Sequence, residues 1–192
     1  ISIQVVSRAR QAGIAFSPRD PFQHQTIRSL ARIAALSTQT FVDQGLATGA
    51  VALAPVQQWF FSLDMPQRQH WNQSLLLHPR QPVDAGLLEQ ALNTLVSHHD
   101  ALRLRFVQHH GQGQQAYAEL PNEPLLWQRQ AASTDELKTL CEQTQCSLDL
   151  HNGPLLRALL VDMADHSQRL LLVIHHLVVD GVSWRVLLED LQ

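Results

Sequence analysis

Apolar positions recur along the chain in two rhythms. After Asp84, the residues Leu87, Leu88, Ala91, Leu92, Leu95 and Val96 fall at helical spacing, and Asp84 is placed to cap the first turn. Ser133 opens a second helix that runs to about Cys146. Ser183 is placed to cap a last one carrying Trp184, Leu187, Leu188 and Leu191. The other rhythm is that of strands. Trp71 to Leu77, Leu102 to Gln108 and Leu125 to Gln130 read as strands, and Gly111 and Gly113 suggest a turn into Gln115 to Leu120. Leu155 to Met163 and Arg169 to Ile174 form a predicted hairpin with Asp165 and His166 at its tip. Val51 to Phe61 is short and apolar, with Pro55 suited to a first helical turn. Helices and strands alternate irregularly, which predicts a mixed α/β sandwich rather than a bundle or barrel.

The first 36 residues have a different texture. Val5, Val6 and Ala9 share a helix face that Gly13 can end, and two prolines in the connector Phe16 to Pro21 forbid a continuous helix. Thr26 can cap a helix whose apolar side is Ile27, Leu30, Ala31 and Ala34. Two short helices cannot close a core alone. Residues 37–49 are polar and Gly-containing and read as a linker. The expected organisation is therefore 1–36, a linker over 37–49, and a second unit over 50–192.

At 192 residues and 45% hydrophobic, the chain can bury a core. A formal net charge of -3 is too mild for a binder of nucleic acid or membrane surfaces driven by bulk charge. No apolar run reaches the roughly 18 residues of a membrane span. Ile1 is followed by neither a basic nor an apolar leader, so the chain reads as cut from a longer polypeptide. Cys141 and Cys146, five apart, fit neither a metal knuckle nor a redox pair, which makes a reducing cytoplasm the default location.

The candidate chemistry lies where Leu170 to Ile174, an unbroken apolar run, ends in His175-His176-Leu177-Val178-Val179-Asp180-Gly181. Side chains of successive strand residues point to opposite faces, so only one imidazole can face a given cavity and the other bonds inside the protein. An imidazole titrating near pH 6.5 can accept and return a proton. The plainer reading is a pair of satisfied core histidines, and the residues alone leave both open. Asp180-Gly181 is a turn signal, and Asp180 so near a core calls for a cation, with Arg103 and Arg105 as candidates. No metal is expected, because adjacent strand histidines cannot easily share an ion and no second cluster has ligand spacing.

The segment 175–181 matches the HHxxxDG motif of the condensation-type superfamily of nonribosomal peptide synthetases, which it resembles. Ser97-His98-His99-Asp100-Ala101-Leu102-Arg103-Leu104-Arg105-Phe106 resembles the superfamily's RHExLRxxF motif, and Ala54-Pro55-Val56-Gln57-Gln58-Trp59-Phe60-Phe61 its opening LxPxQxxF motif. Pro55 to Phe61, His70-Trp71-Asn72-Gln73-Ser74 and Asp180-Gly181-Val182-Ser183-Trp184-Arg185 resemble epimerization domains in particular. Ile1 to Ala34 resembles the second half of a peptidyl carrier domain, with Ser2 lying beyond the attachment serine.

The resemblance implies a chloramphenicol-acetyltransferase-like lobe, the first of two, preceded by two helices of a four-helix carrier domain. It implies a substrate thioester on a carrier's 4'-phosphopantetheine, attached upstream of Ile1, and epimerization of its Cα from L to D. His176 matches the catalytic histidine. The opposing group is a Glu of the second lobe, for which Glu189 is not a substitute. His175, Asp180, Gly181 and Arg103 are expected to support the site, Asp180 by pairing with Arg103. Asn72, Gln73, Ser74 and Trp184 are candidate channel residues, although strand alternation lets at most two of the first three face it and the helical position of Trp184 favours a place in the core. The implied partners are the carrier domain, the second lobe and neighbouring synthetase modules. The alternatives are a condensation domain joining two carrier-bound substrates and a non-catalytic platform for docking carriers.

Overall fold

The computed structural model describes residues 2–36, 45–109 and 112–191, which divide into two compact units, Ile1–Gly45 and Leu46–Gln192. The first unit holds α1 (Ser2–Gln11), β1 (Ile14–Ala15), α2 (Asp20–Gln23), α3 (Ile27–Ile33) and β2 (Ala35–Leu36). Gly13 adopts a φ of 77° just past α1, a left-handed turn that ends helices readily. Thr26 caps α3 in a reciprocal box with Ser29, its hydroxyl accepting the Ser29 N–H at 3.1 Å. Val6 is the buried hydrophobic here among the described residues, while Phe22 and Ile27 stay exposed. Residues 37–44 of the expected linker lie outside the described residues, and Gly49 already belongs to a strand.

The second unit contains β3 (Gly49–Val51), α4 (Pro55–Ser62), β4 (Asn72–Leu77), α5 (Ala85–His98), β5 (Leu104–His109) and β6 (Gln112–Tyr117). It continues with β7 (Leu126–Ala131), α6 (Thr134–Gln145), β8 (Leu156–Met163), β9 (Gln168–His175) and α7 (Ser183–Asp190). Two sheets result, one in the order β3-β6-β5 and one in the order β4-β9-β8-β7, with only β7 and β8 parallel among these pairs. The strand β9, inside the larger sheet, alternates cleanly. Leu170, Leu172 and Ile174 join the core made with α5 and α7, and Leu171 and Val173 join the core under α6. A third cluster, Phe60, Phe61, Leu104, Phe106, Leu150, Leu155 and Leu177, fills the region beside α4.

Several expectations need correction. Leu102 and Arg103 lie in a 3-10 turn, Asp100–Arg103, because the chain must bend between α5 and β5. Gly113 is not in a turn but paired to Gln108 within β6, while Gly111 lies outside the described residues. A Cβ on Gly113 would lie 2.5 Å from the Phe61 ring, so this glycine lets α4 approach the strand. Ser183 does not cap α7: it is the first helical residue, and the acceptor is the Asp180 carboxylate, described below.

Candidate active site

The turn after β9 is pinned from three sides. The His176 N–H donates to the carbonyl of Trp71 at 2.9 Å, extending the β4–β9 ladder by one rung. Buried Gln57 of α4 donates its side-chain N–H to the Leu177 carbonyl at 3.3 Å, while its oxygen accepts the Ala54 N–H at 2.8 Å. The Val178 N–H closes back onto the His175 carbonyl at 3.0 Å. A polar glutamine survives in the core here because both ends of its amide are satisfied.

The two imidazoles do different things. His175 is 0% exposed and stands edge-on to Phe60, with ring centroids 5.9 Å apart. Its Nε2 lies 2.8 Å from the carbonyl of Arg68, which can only accept, so Nε2 carries the proton. Its Nδ1 accepts the Leu177 N–H at 3.1 Å. Both nitrogens are used up in the neutral form. Burial holds this imidazole below its ordinary pKa, against the Arg68 carbonyl, which favours the charged form, and with help from the neighbouring His176 ring.

His176 is only half-buried. Its Nδ1 lies 2.8 Å from the Val179 carbonyl and therefore bears the proton. Its Nε2 faces the side-chain amide of Gln73 at 3.2 Å. Trp71 packs on the ring at 5.1 Å between centroids, and is itself stacked on Phe60 at 4.6 Å with 2° between planes. Trp59 meets Trp71 edge-on at 6.2 Å and remains 53% exposed. The result is an imidazole held on an aromatic wall, in the tautomer that leaves Nε2 as an acceptor.

The remaining candidate residues separate into those near His176 and those turned elsewhere. Gln73 faces His176 and accepts the indole N–H of buried Trp184 at 2.9 Å. Asn72, one residue earlier in β4, points to the opposite face and donates to the Gln145 carbonyl at 2.8 Å. Ser74 shares that face by strand alternation and is exposed. Gly181 has no left-handed backbone angle, and a Cβ there would meet open space, so this chain makes no conformational demand for glycine.

The pair expected between Asp180 and Arg103 is not formed. Exposed Asp180 accepts the N–H groups of Val182 at 3.0 Å and Ser183 at 2.8 Å and the Ser183 hydroxyl at 2.7 Å. These local donors are nearer in the chain than any cation, and they start α7 in place of a conventional cap. The Ser183 N–H and hydroxyl hold the carboxyl below the usual carboxylate range. Arg103, 1% exposed, instead pairs with Asp100 and donates to the carbonyls of Ala118 at 2.8 Å and Ala47 at 3.3 Å, tying the 3-10 turn to the segment entering β3. Arg105 donates to the Asn152 carbonyl at 2.9 Å.

Among the described residues one group could approach a metal's ligand spacing, His98, His99 and Asp190 at the ends of α5 and α7. His99 and Asp190 already bond each other at 2.8 Å, and the group excludes His176. No helix among the described residues is long and apolar enough to cross a membrane.

Comparison with known proteins bears on this arrangement. The condensation-domain family model matches residues 47–192, which include every residue of the site. The chain belongs to the condensation-domain family. Over its full length it is 47% identical to one subunit of the linear gramicidin synthase of Brevibacillus parabrevis, covering 4% of that protein. It is 39% identical to surfactin synthase subunit 2 of Bacillus subtilis, with 98% of the chain matched and 5% of that protein covered. The chain thus spans a small part of these relatives. Among solved structures, the epimerization domain from the third module of tyrocidine synthetase B is similar with a TM-score of 0.73 at 40% identity, over 78% of this chain and 35% of that one. The first condensation domain of the calcium-dependent antibiotic synthetase shares the fold, with a TM-score of 0.63 at 23% identity over 74% of this chain and 36% of that one.

Sequence reasoning missed the roles of Gln57, Phe60 and Trp71. All three lie in segments already notable for their motif resemblance, but nothing in their spacing says that they meet the loop after β9.

Proposed function

We propose that this chain is part of an epimerization domain that inverts the Cα of an aminoacyl or peptidyl thioester in nonribosomal peptide synthesis, with His176 as one of its two acid/base groups. The observation that carries the reading is the His176 ring, its Nδ1 turned to the Val179 carbonyl and its Nε2 to the Gln73 amide, held on the Trp71 ring at the mouth of a buried strand. A Cα–H beside a thioester is acidic because the carbanion is delocalised onto the carbonyl oxygen. A neutral imidazole with a free lone pair can take that proton, and a second group on the other face can supply one. Similarity to a solved epimerization domain at 40% identity supports this choice within the family. The substrate would arrive on the phosphopantetheine of a carrier domain, of which residues 1–36 would be the C-terminal half. The opposing acid/base group would come from the second lobe of the domain.

The family match itself favours a second reading, a condensation domain in which His176 acts on an attacking amine. Loading the intact synthetase in deuterated water separates the two. Deuterium at Cα with mixed chirality is the result expected of an epimerase. Peptide product without deuterium supports condensation, and pathway output unaffected by His176→Ala supports a docking platform. The 192-residue chain alone should show no exchange, since it would lack half of the catalytic pair.

A further inference from the structure

We propose that Gln73 and Trp184 are positioning residues that lock the tautomer of His176, and so decide which ring nitrogen is free to take a proton. An indole nitrogen has a hydrogen to give and no lone pair to offer, so the Gln73 atom 2.9 Å from Trp184 Nε1 is the carbonyl oxygen. The other end of the same amide is then the NH2 group, and it faces His176 Nε2 at 3.2 Å as a donor. An NH2 group cannot accept from Nε2–H, so Nε2 has to be bare. Independently, the Val179 carbonyl at 2.8 Å demands a proton on Nδ1. Two constraints on opposite sides of the ring select one tautomer.

The fold makes the lock rigid. Gln73 projects to the same face of β4 as Leu75 and Leu77, which pack against the core of α5 and α7. Trp184 is a buried member of that core. Turning the Gln73 amide over would set NH2 against the indole N–H, donor against donor, in a part-buried place. The strand side therefore aims the amide and the helix side keys its orientation. Trp184 acts through Gln73 and Gln73 through the His176 ring, and neither takes or gives the substrate proton.

The chemical consequence rests on the function proposed above. When the Cα–H bond breaks, its proton goes to Nε2 and the electron pair is delocalised into the thioester carbonyl. The proton displaces a single long N–H contact from Gln73. In the other tautomer Nε2 would already carry hydrogen and no proton could be taken.

The test is a long-range 1H–15N correlation spectrum of the imidazoles of the whole 15N-labelled chain at pH 8, on wild type, Gln73→Glu and Trp184→Phe. In the wild type His176 should show hydrogen on Nδ1 and a bare Nε2. The carboxylate introduced by Gln73→Glu would accept from both the indole and the ring, so that in this variant Nε2 should gain a hydrogen while Nδ1 keeps its own toward Val179. Trp184→Phe keeps an aromatic ring and removes the key, so the Gln73 amide can turn its oxygen to the ring and Nε2 should bear hydrogen in part of the molecules. His175 serves as the internal standard: its Nε2–H, fixed by the Arg68 and Leu177 backbone, should persist in both variants if each is folded. In the intact synthetase Gln73→Glu should slow Cα exchange by roughly 10²–10⁴-fold, with KM little changed. A wild-type His176 with hydrogen on Nε2 overturns the inference, as does an unchanged nitrogen pattern in Gln73→Glu with the His175 signal intact. Nitrogen patterns that move as stated, in a synthetase that never exchanges its substrate's Cα hydrogen, would sustain the inference and defeat the proposed function instead.

Discussion

Replacing His175 by Phe should destabilise the second unit markedly, and less so in acid. Phe fills the ring volume against Phe60, so the cavity contribution is small. What is lost are the two polar contacts, leaving the Arg68 carbonyl and the Leu177 N–H without their His175 partners. The stranded Leu177 N–H costs about 1–3 kcal/mol, and the Arg68 carbonyl, which keeps the Trp71 N–H at 3.4 Å, adds less, so the loss amounts to about 1–4 kcal/mol at pH 7.5. The pH dependence follows from the lowered pKa of the folded imidazole. The unfolded chain binds the proton near pH 6.5, and the folded chain only at lower pH. Stability is therefore fully present above about 6.5 and falls with the pH below it. At pH 5.5 the wild type loses up to about 1.4 kcal/mol through this one group. The variant has no such group, so the gap between the two proteins should narrow by up to that amount. Urea unfolding followed by tryptophan fluorescence measures it cleanly, because Trp59, Trp71, Trp127 and Trp184, all 4 tryptophans, lie in the second unit. A gap below about 1 kcal/mol that is equal at both pH values would refute the picture of a neutral, doubly bonded His175.

Asp180→Ala should cost about 0.5–2 kcal/mol in urea unfolding, as loss of a cap does, and not the larger penalty of a broken buried ion pair. That contribution should fade as the pH falls below the ordinary carboxylate value of about 3.9, because the folded carboxyl is held low. Arg103→Lys should destabilise by about 1–3 kcal/mol, since an ammonium cannot reach Asp100, Ala47 and Ala118 together. In a double-mutant cycle Arg103→Lys and Asp180→Ala should add to within about 0.5 kcal/mol, and a larger coupling would reinstate their pairing. Gly181→Ala should leave the stability of the chain within about 0.5 kcal/mol of wild type, because its Cβ meets nothing here.

What is legible in the sequence, and what is not, divides along contact range. Thr26, Asp84 and Ser133 cap helices as local chemistry predicts, their side chains accepting N–H groups at Ser29, Leu87 and Glu136. The split fate of His175 and His176 follows from strand alternation, which needs no knowledge of partners. Asp180 departs from expectation because a carboxylate beside a core suggests a distant cation, whereas two backbone N–H groups within three residues satisfy it first. Gln73 and Trp184 are 111 positions apart. Gln73 suggests a channel lining and Trp184 more readily a core position, and only the pairing of β4 with β9 and the docking of α7 reveal that the two bond each other beside His176. Exposed Val56 and Trp59 on α4, and Val182 and Val186 at α7, could equally not be told from core residues by period alone.

The decisive measurement is exchange of the Cα hydrogen in the intact synthetase carrying His176→Ala. With the substrate loaded in deuterated water, deuterium incorporation should fall by roughly 10²–10⁴-fold, while the unfolding curve followed by tryptophan fluorescence stays near that of the wild type. Incorporation at the wild-type rate in a folded His176→Ala protein would contradict the assignment of this imidazole to the chemistry.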